Sequence, residues 1–409
     1  MKLLIISAMP HYHRGKEIVG WGPTVREINE LPCLFEEIRH VACLHAGPPP
    51  ETSLPYLSDR IMLVPVPPSG GETLASKVGI LRKVPQYVRT LLRELPLADV
   101  VHVRCPANIS LMAVVMLTFI RHPSVRWVKY AGNWMPSGRE ALSYRFQRWW
   151  LRKGYHRGFV TINGQWPAQP DHVHSLLNPC FTDLEFDQAK EIGLKKSLEK
   201  PVRMIYAGRL EAAKGVGRAL RIVSELNKQR IPATLDLVGD GPERGSFEME
   251  AASLGVSHLV RFHGWQPREK LNALYAQSHF FLMPCTSSEG WPKVLSESMA
   301  YGVVPLAGNL SSIPQYLGAF QTGKALPATD IQAYARAILE YCSTPNIWDA
   351  ESKHAVRAAS QFTYNDYLQA VGRLIGSRVE DHRQANPRTR TLRKQSLAGP
   401  VSERGERLP

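Results

Sequence analysis

Ser287-Ser-Glu289-Gly-Trp-Pro-Lys-Val-Leu-Ser-Glu297-Ser-Met-Ala-Tyr-Gly302 runs directly into the apolar strand pattern Val303-Val-Pro-Leu-Ala307. Pro292 pre-sets a first helical turn, which predicts a helix with Glu289 in the loop before it and Glu297 on its second turn. Two carboxylates thereby flank one helix N-terminus. Free N–H groups at such an end attract phosphate, and an ionised Glu can accept two hydroxyl protons of a sugar. Taken singly, Glu289 reads as a charge satisfying the helix dipole and Glu297 as an exposed helix residue.

Two upstream turns change that reading. The strand Met204-Ile-Tyr-Ala207 ends in Gly208-Arg209-Leu-Glu-Ala-Ala-Lys214-Gly215, placing two cations between a strand end and a helix start. Ligands of open α/β sheets bind at that position, and Arg209 with Lys214 supplies charge for a diphosphate. The strand Leu235-Asp-Leu-Val238 runs into Gly239-Asp-Gly241-Pro-Glu-Arg244, with Pro242 suited to the first position of a helix. This second turn says less, because such glycines close many strands for steric reasons alone.

Around these turns lies a regular alternation. Strands are predicted at Met204–Ala207, Ala233–Val238, Leu259–His263, Phe280–Met283 and Val303–Leu306, each followed by a turn or a helix. The amino half shows the same order, with strands at Leu3–Ser7, Val41–His45, Ile61–Val66, Val100–Arg104, Val125–Tyr130 and Phe159–Ile162. Both halves read as βαβ units building a mostly parallel, doubly wound sheet, so the fold class is α/β with two domains. The domain boundaries are set at 1–179, 180–362, a closing helix at 363–377, and a basic tail at 378–409 read as disordered because it is polar, Arg-rich and without aromatics.

Bulk properties agree with two cores: 409 residues, 44% hydrophobic and 21% charged. The formal charge of +14 favours anionic partners without choosing among nucleic acid, an acidic membrane or a phosphate-bearing substrate. The six cysteines form no C-x-x-C pair, which points to a reducing compartment and to neither a zinc site nor a disulfide framework. The opening run Lys2 to Ser7 reads as a strand rather than a signal-peptide core. The apolar run Ile109 to Ile120 is about 12 residues, short of the roughly 20 a membrane span needs. A cytoplasmic protein, peripheral at most, is expected.

The carboxyl half resembles the large family-4 group of retaining glycosyltransferases of the GT-B fold, the glycosyl transferases of group 1. The E-x7-E signature of that family is matched by Glu289 and Glu297, its G-R-L-x-x-x-K-G by Gly208 to Gly215, and its G-x-G-P by Gly239 to Pro242. Phe262-His-Gly264 and Leu274-Tyr275 resemble two further family segments. The resemblance implies two Rossmann-like domains facing a cleft. It implies that Arg209 and Lys214 bind the donor diphosphate, Glu297 the ribose and Glu289 the transferred sugar. It also implies that Gly290, Trp291, Pro292, Lys293, Val294 and Leu295 form the segment presenting backbone to phosphates and sugar. Gly20-Trp-Gly22-Pro resembles the glycine-rich loop of the other domain.

Departures from the pattern are Ser298 for a usual Ala, Ser311-Ser312 for glycines, and Gln315 for a common Glu. In the amino half Asn133 stands near where the family often has a His, and an amide cannot act as a base. His102, inside the strand Val100-Val-His-Val-Arg104, is a candidate cleft residue or a satisfied core histidine. The resemblance implies transfer with retention, in which the departing phosphate takes the acceptor's proton, so that charge balance and orientation are what the protein supplies. No cofactor and no metal are expected, since no D-x-D or His/Cys cluster stands out. The expected partners are a nucleoside-diphosphate sugar, a glycan or lipid-linked acceptor and an anionic membrane surface, not nucleic acid. In Tyr144-Arg-Phe-Gln-Arg-Trp-Trp-Leu-Arg-Lys-Gly-Tyr155 the aromatics are expected mostly in the core, with an Arg/Lys face toward lipid. The rival readings are a basic binding module without activity and a sugar-nucleotide hydrolase or epimerase on the same fold.

Overall fold

Short apolar runs alternating with helical segments fold into two sheets, each flanked by helices. The computed structural model describes residues 1–68, 74–136, 138, 140–287 and 290–385, without side chains at 74–78, 80–81 and 381–385. The amino half runs β1 (Lys2–Arg14), β2 (Glu17–Trp21), α1 (Gly22–Glu30), β3 (Glu37–Leu44), β4 (Ser53–Pro55), β5 (Ile61–Val66), α2 (Leu74–Glu94), β6 (Val100–Cys105), α3 (Asn108–Phe119), β7 (Val125–Tyr130), α4 (Leu142–Arg152), β8 (Phe159–Ile162) and β9 (Val173–Ser175). The carboxyl half begins with α5 (Asp183–Gly193), β10 (Val202–Ala207), α6 (Val216–Lys228), β11 (Ala233–Val238), α7 (Arg244–Ser253), β12 (Val260–Gly264) and α8 (Arg268–Gln277). It continues with β13 (Phe280–Met283), α9 (Lys293–Ala300), β14 (Val304–Gly308), α10 (Ile313–Phe320), β15 (Lys324–Leu326), α11 (Ile331–Ser343), α12 (Pro345–Ala359) and α13 (Tyr364–Ala385).

The carboxyl-half sheet is entirely parallel in the order β12-β11-β10-β13-β14-β15, the doubly wound arrangement. In the amino half β5-β3-β1-β6-β7-β8-β9 are parallel, and β1 runs on past its expected end to pair antiparallel with β2. Strand order reverses between β10 and β13 and between β1 and β6, which places a crevice at each of those strand ends. The helix α13 returns to the amino half, where Tyr367, Val371 and Ile375 pack with Leu3, Ile28, Phe35 and Trp127.

Four expectations are corrected. First, α13 continues to Ala385, eight residues past Ser377, so the polar segment read as the start of a tail is helical there; residues 386–409 lie outside the described residues. Second, Pro292 caps α9 from outside instead of occupying its first turn. Third, Pro242 lies in a turn two residues before α7. Fourth, the aromatics near α4 are not mostly core. That helix buries only Gln147 and Leu151, a stripe too narrow to cover rings spread around the helix. Tyr144, Phe146, Trp149 and Tyr155 therefore stay exposed, Trp149 at 46%.

Candidate active site

The donor-side crevice is built by two loops bound to one another. After β10 the chain turns through Gly208 and Arg209, is anchored by buried Leu210, and makes a 3-10 turn at Ala212–Lys214 before α6. After β13, Thr286 and Ser287 donate their N–H groups to the Ala213 carbonyl at 2.9 and 3.3 Å. Arg218, which the sequence does not single out, bridges both loops by donating to the Pro284 carbonyl at 2.5 Å and the Ala212 carbonyl at 3.1 Å. The Arg209 loop thus lies beside the segment that leads into α9. Arg209 is 66% exposed and among the described residues pairs with Glu211 alone, at 2.6 Å, so its guanidinium can reorient toward a ligand. Lys214 is more enclosed, and burial lowers its ammonium from the usual range against the opposing effect of Cys285 and Glu211.

Gly239 and Gly241 have a steric task at this place. A Cβ on Gly239 would lie 1.9 Å from the Gly208 carbonyl oxygen, and one on Gly241 would lie 2.4 Å from that of Leu210. The second glycine turn therefore backs the Arg209 loop with bare backbone and fixes its position.

At α9, the Trp291 side chain is core. It donates from Nε1 to Ser296 Oγ at 2.7 Å and stacks on Phe362. Leu295 donates its N–H to the Pro292 carbonyl at 3.1 Å, and Pro292 has no N–H, so neither is free to present one. Among the described residues the N–H groups of Gly290, Lys293 and Val294 have no partner, leaving a helix start open to an anion. Glu297 points instead toward α8, where Arg268 Nη1 lies 3.2 Å from its Oε1, while its Oε2 has no partner among the described residues. Glu289 lies outside the described residues.

The departures from the family pattern are absorbed locally. Ser298 donates to the Leu295 carbonyl at 2.9 Å within the core. Ser311 adopts a left-handed φ of 52°, the conformation for which glycine is the usual residue. Gln315 accepts the Gln165 N–H at 2.8 Å, and Tyr316 accepts that of Gly164 at 2.7 Å, so both join the two halves across the cleft.

In the amino half, Gly20 lies in β2 and Gly22 opens α1, so that the expected loop is a strand end followed by a helix start. Asn133 accepts the Met135 N–H at 3.0 Å in a local turn. His102 is fully buried and stacked on Trp127 at 3.6 Å. Burial, with Arg104 and Lys129 nearby, holds its pKa well below the ordinary histidine value, so it sits in the core as a neutral ring. Close by, His11 donates or accepts at Tyr56 Oη (2.7 Å), which also meets His40 (2.6 Å), and His40 reaches Ser7 Oγ (2.7 Å).

The most heavily engaged group in the cleft was missed by sequence reasoning. Glu27 is buried, and its Oε1 receives Arg104 at 2.7 Å, Lys129 at 2.8 Å and the Tyr367 hydroxyl at 3.1 Å. Its Oε2 meets Lys293 of the opposite half at 3.2 Å. Burial alone would push this carboxyl up. Arg104, Lys129 and Lys293 more than offset that and hold it well below the usual range. A signal existed: Arg104 and Lys129 stand inside otherwise apolar strands, and a buried cation demands a counter-charge.

Residues 187–361 match the family model described as glycosyl transferases group 1. That segment of the chain is thus similar to the glycosyl transferases of group 1. The GDP-mannose-dependent alpha-(1-6)-phosphatidylinositol monomannoside mannosyltransferase of Mycolicibacterium smegmatis is 32% identical over 154 residues, covering 36% of this chain. The chain spans 40% of the length of that relative. Among solved structures, sucrose-phosphate synthase from Thermosynechococcus elongatus is similar at a TM-score of 0.68 and 16% identity, covering 92% of this chain and 98% of that one. Anabaena HepE in complex with UDP is similar at 0.65 and 14%, covering 92% and 100%. These likenesses extend over both halves, and the fold is GT-B.

Proposed function

We propose that this protein is a group 1, retaining glycosyltransferase that moves a sugar from a nucleoside-diphosphate sugar to a glycan or lipid-linked acceptor. The observation that carries the reading is the adjacency, enforced by backbone hydrogen bonds, of the Arg209–Lys214 loop and the segment entering α9 at the point where strand order reverses. Charge developing on a departing diphosphate is there met by two cations and by free N–H groups of Gly290, Lys293 and Val294. Glu297 is proposed to hold the ribose through Oε2, with Arg268 fixing the other oxygen. Glu289 is proposed to hold the transferred sugar. Arg209 and Lys214 supply charge in place of a divalent ion, which makes the transfer metal-independent.

The acceptor side is proposed to work at an anionic lipid surface of the cytoplasmic membrane face. No helix among the described residues is long and apolar enough to cross a membrane. In α4, helical spacing puts Arg145 and Arg152 on one stripe and Phe146, Trp149 and Trp150 on the next, while Arg148 between the two arginines turns inward onto Glu140. Phe146, Trp149, Trp150 and Tyr155 form one cluster with ring centroids 5.0–6.0 Å apart. Exposed aromatics edged by cations suit the boundary between headgroups and acyl chains. Assembly of a surface polysaccharide or glycolipid on a lipid carrier is the proposed setting.

The deciding experiment is thermal unfolding across a panel of UDP-, GDP- and ADP-sugars, followed by transfer assays with the stabilising donor. One donor should raise Tm through mass action. A panel in which none does overturns the reading.

A further inference from the structure

Two neighbouring residues of α1 each reach out of the amino half and grip the other. Arg26 Nη2 donates to both carboxylate oxygens of Glu185, at 2.7 and 2.6 Å, and its guanidinium lies over the Tyr364 ring. Glu27 meets Lys293, whose ammonium also donates to the Pro23 carbonyl at 3.2 Å. The polarity is crossed. The amino half offers a cation then an anion, and the carboxyl half answers with Glu185 and Lys293.

Both ties lead to the donor crevice. Glu185 is also held by Arg268 Nε at 3.1 Å, and the same Arg268 reaches Glu297. Lys293 is the first residue of α9. The charges therefore run Arg26, Glu185, Arg268, Glu297 on one side and Glu27, Lys293 on the other, both starting on the helix that Gly22 opens.

We infer that Arg26 and Glu27 are positioning residues: a crossed ion-pair clasp on α1 that sets the closure of the two halves and with it the placing of Glu297 and the α9 start. A crossed pair also selects orientation, since a shift that brought Arg26 toward Lys293 or Glu27 toward Glu185 would set like charges together. The clasp is partly exposed at Arg26, Glu185 and Lys293, where water can enter when it opens, whereas Glu27 keeps Arg104 and Lys129 in either state.

That last feature makes the clasp testable without unfolding the protein. Lys293→Gln leaves Glu27 with two cations, and Arg26→Gln leaves Glu185 with Arg268. Small-angle X-ray scattering of the full chain and of the Arg26→Gln/Lys293→Gln double variant should show a larger radius of gyration for the variant at unchanged far-UV circular dichroism. Arg26→Lys/Lys293→Arg should restore the wild-type curve. For turnover the inference rests on the transferase reading: kcat should fall about tenfold or more in the double variant and recover in Arg26→Lys/Lys293→Arg. Scattering identical to wild type in the double variant overturns the clasp, whatever the activity. A shifted radius in a protein that transfers no sugar upholds the clasp and removes the transferase reading instead.

Discussion

Gly290→Ala is the substitution for which the cleft geometry makes the sharpest demand. Gly290 belongs to the donor half, yet a Cβ built on it would lie 2.4 Å from Asn163 Nδ2 and 2.8 Å from the Ala131 carbonyl oxygen, both in the amino half. Asn163 is buried and Ala131 offers backbone, so neither neighbour yields easily. Overpacking of this kind costs about 1–3 kcal/mol. The added methyl clashes across the cleft and not within one core, so the strain is relieved by opening the halves. The closed state should then lose population by about 5- to 150-fold, and kcat/KM should fall in that range. Thermal unfolding should move by only a few degrees, because each core is untouched. The assay is steady-state transfer with the donor found by thermal shift, together with UDP or GDP titration. Wild-type kcat/KM in Gly290→Ala would refute the close approach of the two halves at this loop.

Other outcomes follow from the same geometry. Glu297→Gln should reduce kcat/KM about 10- to 150-fold, as expected for losing a charged hydrogen bond, with little change in Tm; near-normal kinetics would remove Glu297 from the donor site. Arg209→Ala and Lys214→Ala should each lower kcat by about 10²–10³ while transfer persists in excess EDTA, and restoration by magnesium after EDTA would assign the charge to a metal. Co-sedimentation with vesicles should require anionic lipid, each cation near the surface adding about 1 kcal/mol at low salt, and should weaken in Phe146→Ser/Trp149→Ser; equal sedimentation with neutral vesicles would count against that surface. Acid should destabilise the fold well above the carboxylate range. Burial holds His11 down at about 4 and His156 and His279 at about 3, and the His279 Nδ1 accepts the Arg203 N–H, which requires an unprotonated nitrogen. Folded-state values below the unfolded one mean that stability is present above about pH 6.5 and is lost as pH falls toward those values, by up to about 1.4 kcal/mol per unit for each ring. A Tm that stays flat between pH 7 and pH 5 would contradict this.

Periodicity and turn chemistry made most of the fold legible. Met204 to Ala207 and Ala233 to Val238 announce parallel strands because buried strands read as apolar runs, and Gly208 and Gly239 mark their ends because backbone alone can turn there. The strands missed were the short or paired ones. β2, β4, β9 and β15 take their existence from neighbours across the sheet, and the continuation of β1 to Arg14 depends on its hairpin with β2. The face of α4 was equally undecidable, because aromatics at Tyr144, Phe146, Trp149 and Tyr155 surround the helix and only the width of the stripe it buries settles which are wet.

The same division holds at the cleft. Local motifs alone name the chemistry available there: cations at Arg209 and Lys214, a carboxylate at Glu297 and a helix start near Pro292, at spacings set by strand and helix geometry. How these groups are held depends on the packing of elements far apart in the chain. Arg26 and Glu27 look like solvated charges on an amphipathic helix, and nothing within the chain nearby names Glu185 or Lys293 as their partners, 159 and 266 residues away. A local pattern records what a residue does to its own backbone. The energy of burying Glu27 among Arg104, Lys129 and Lys293 arises from charges that meet only when two sheets and a returning helix are packed together, and that information exists in no single stretch of the chain.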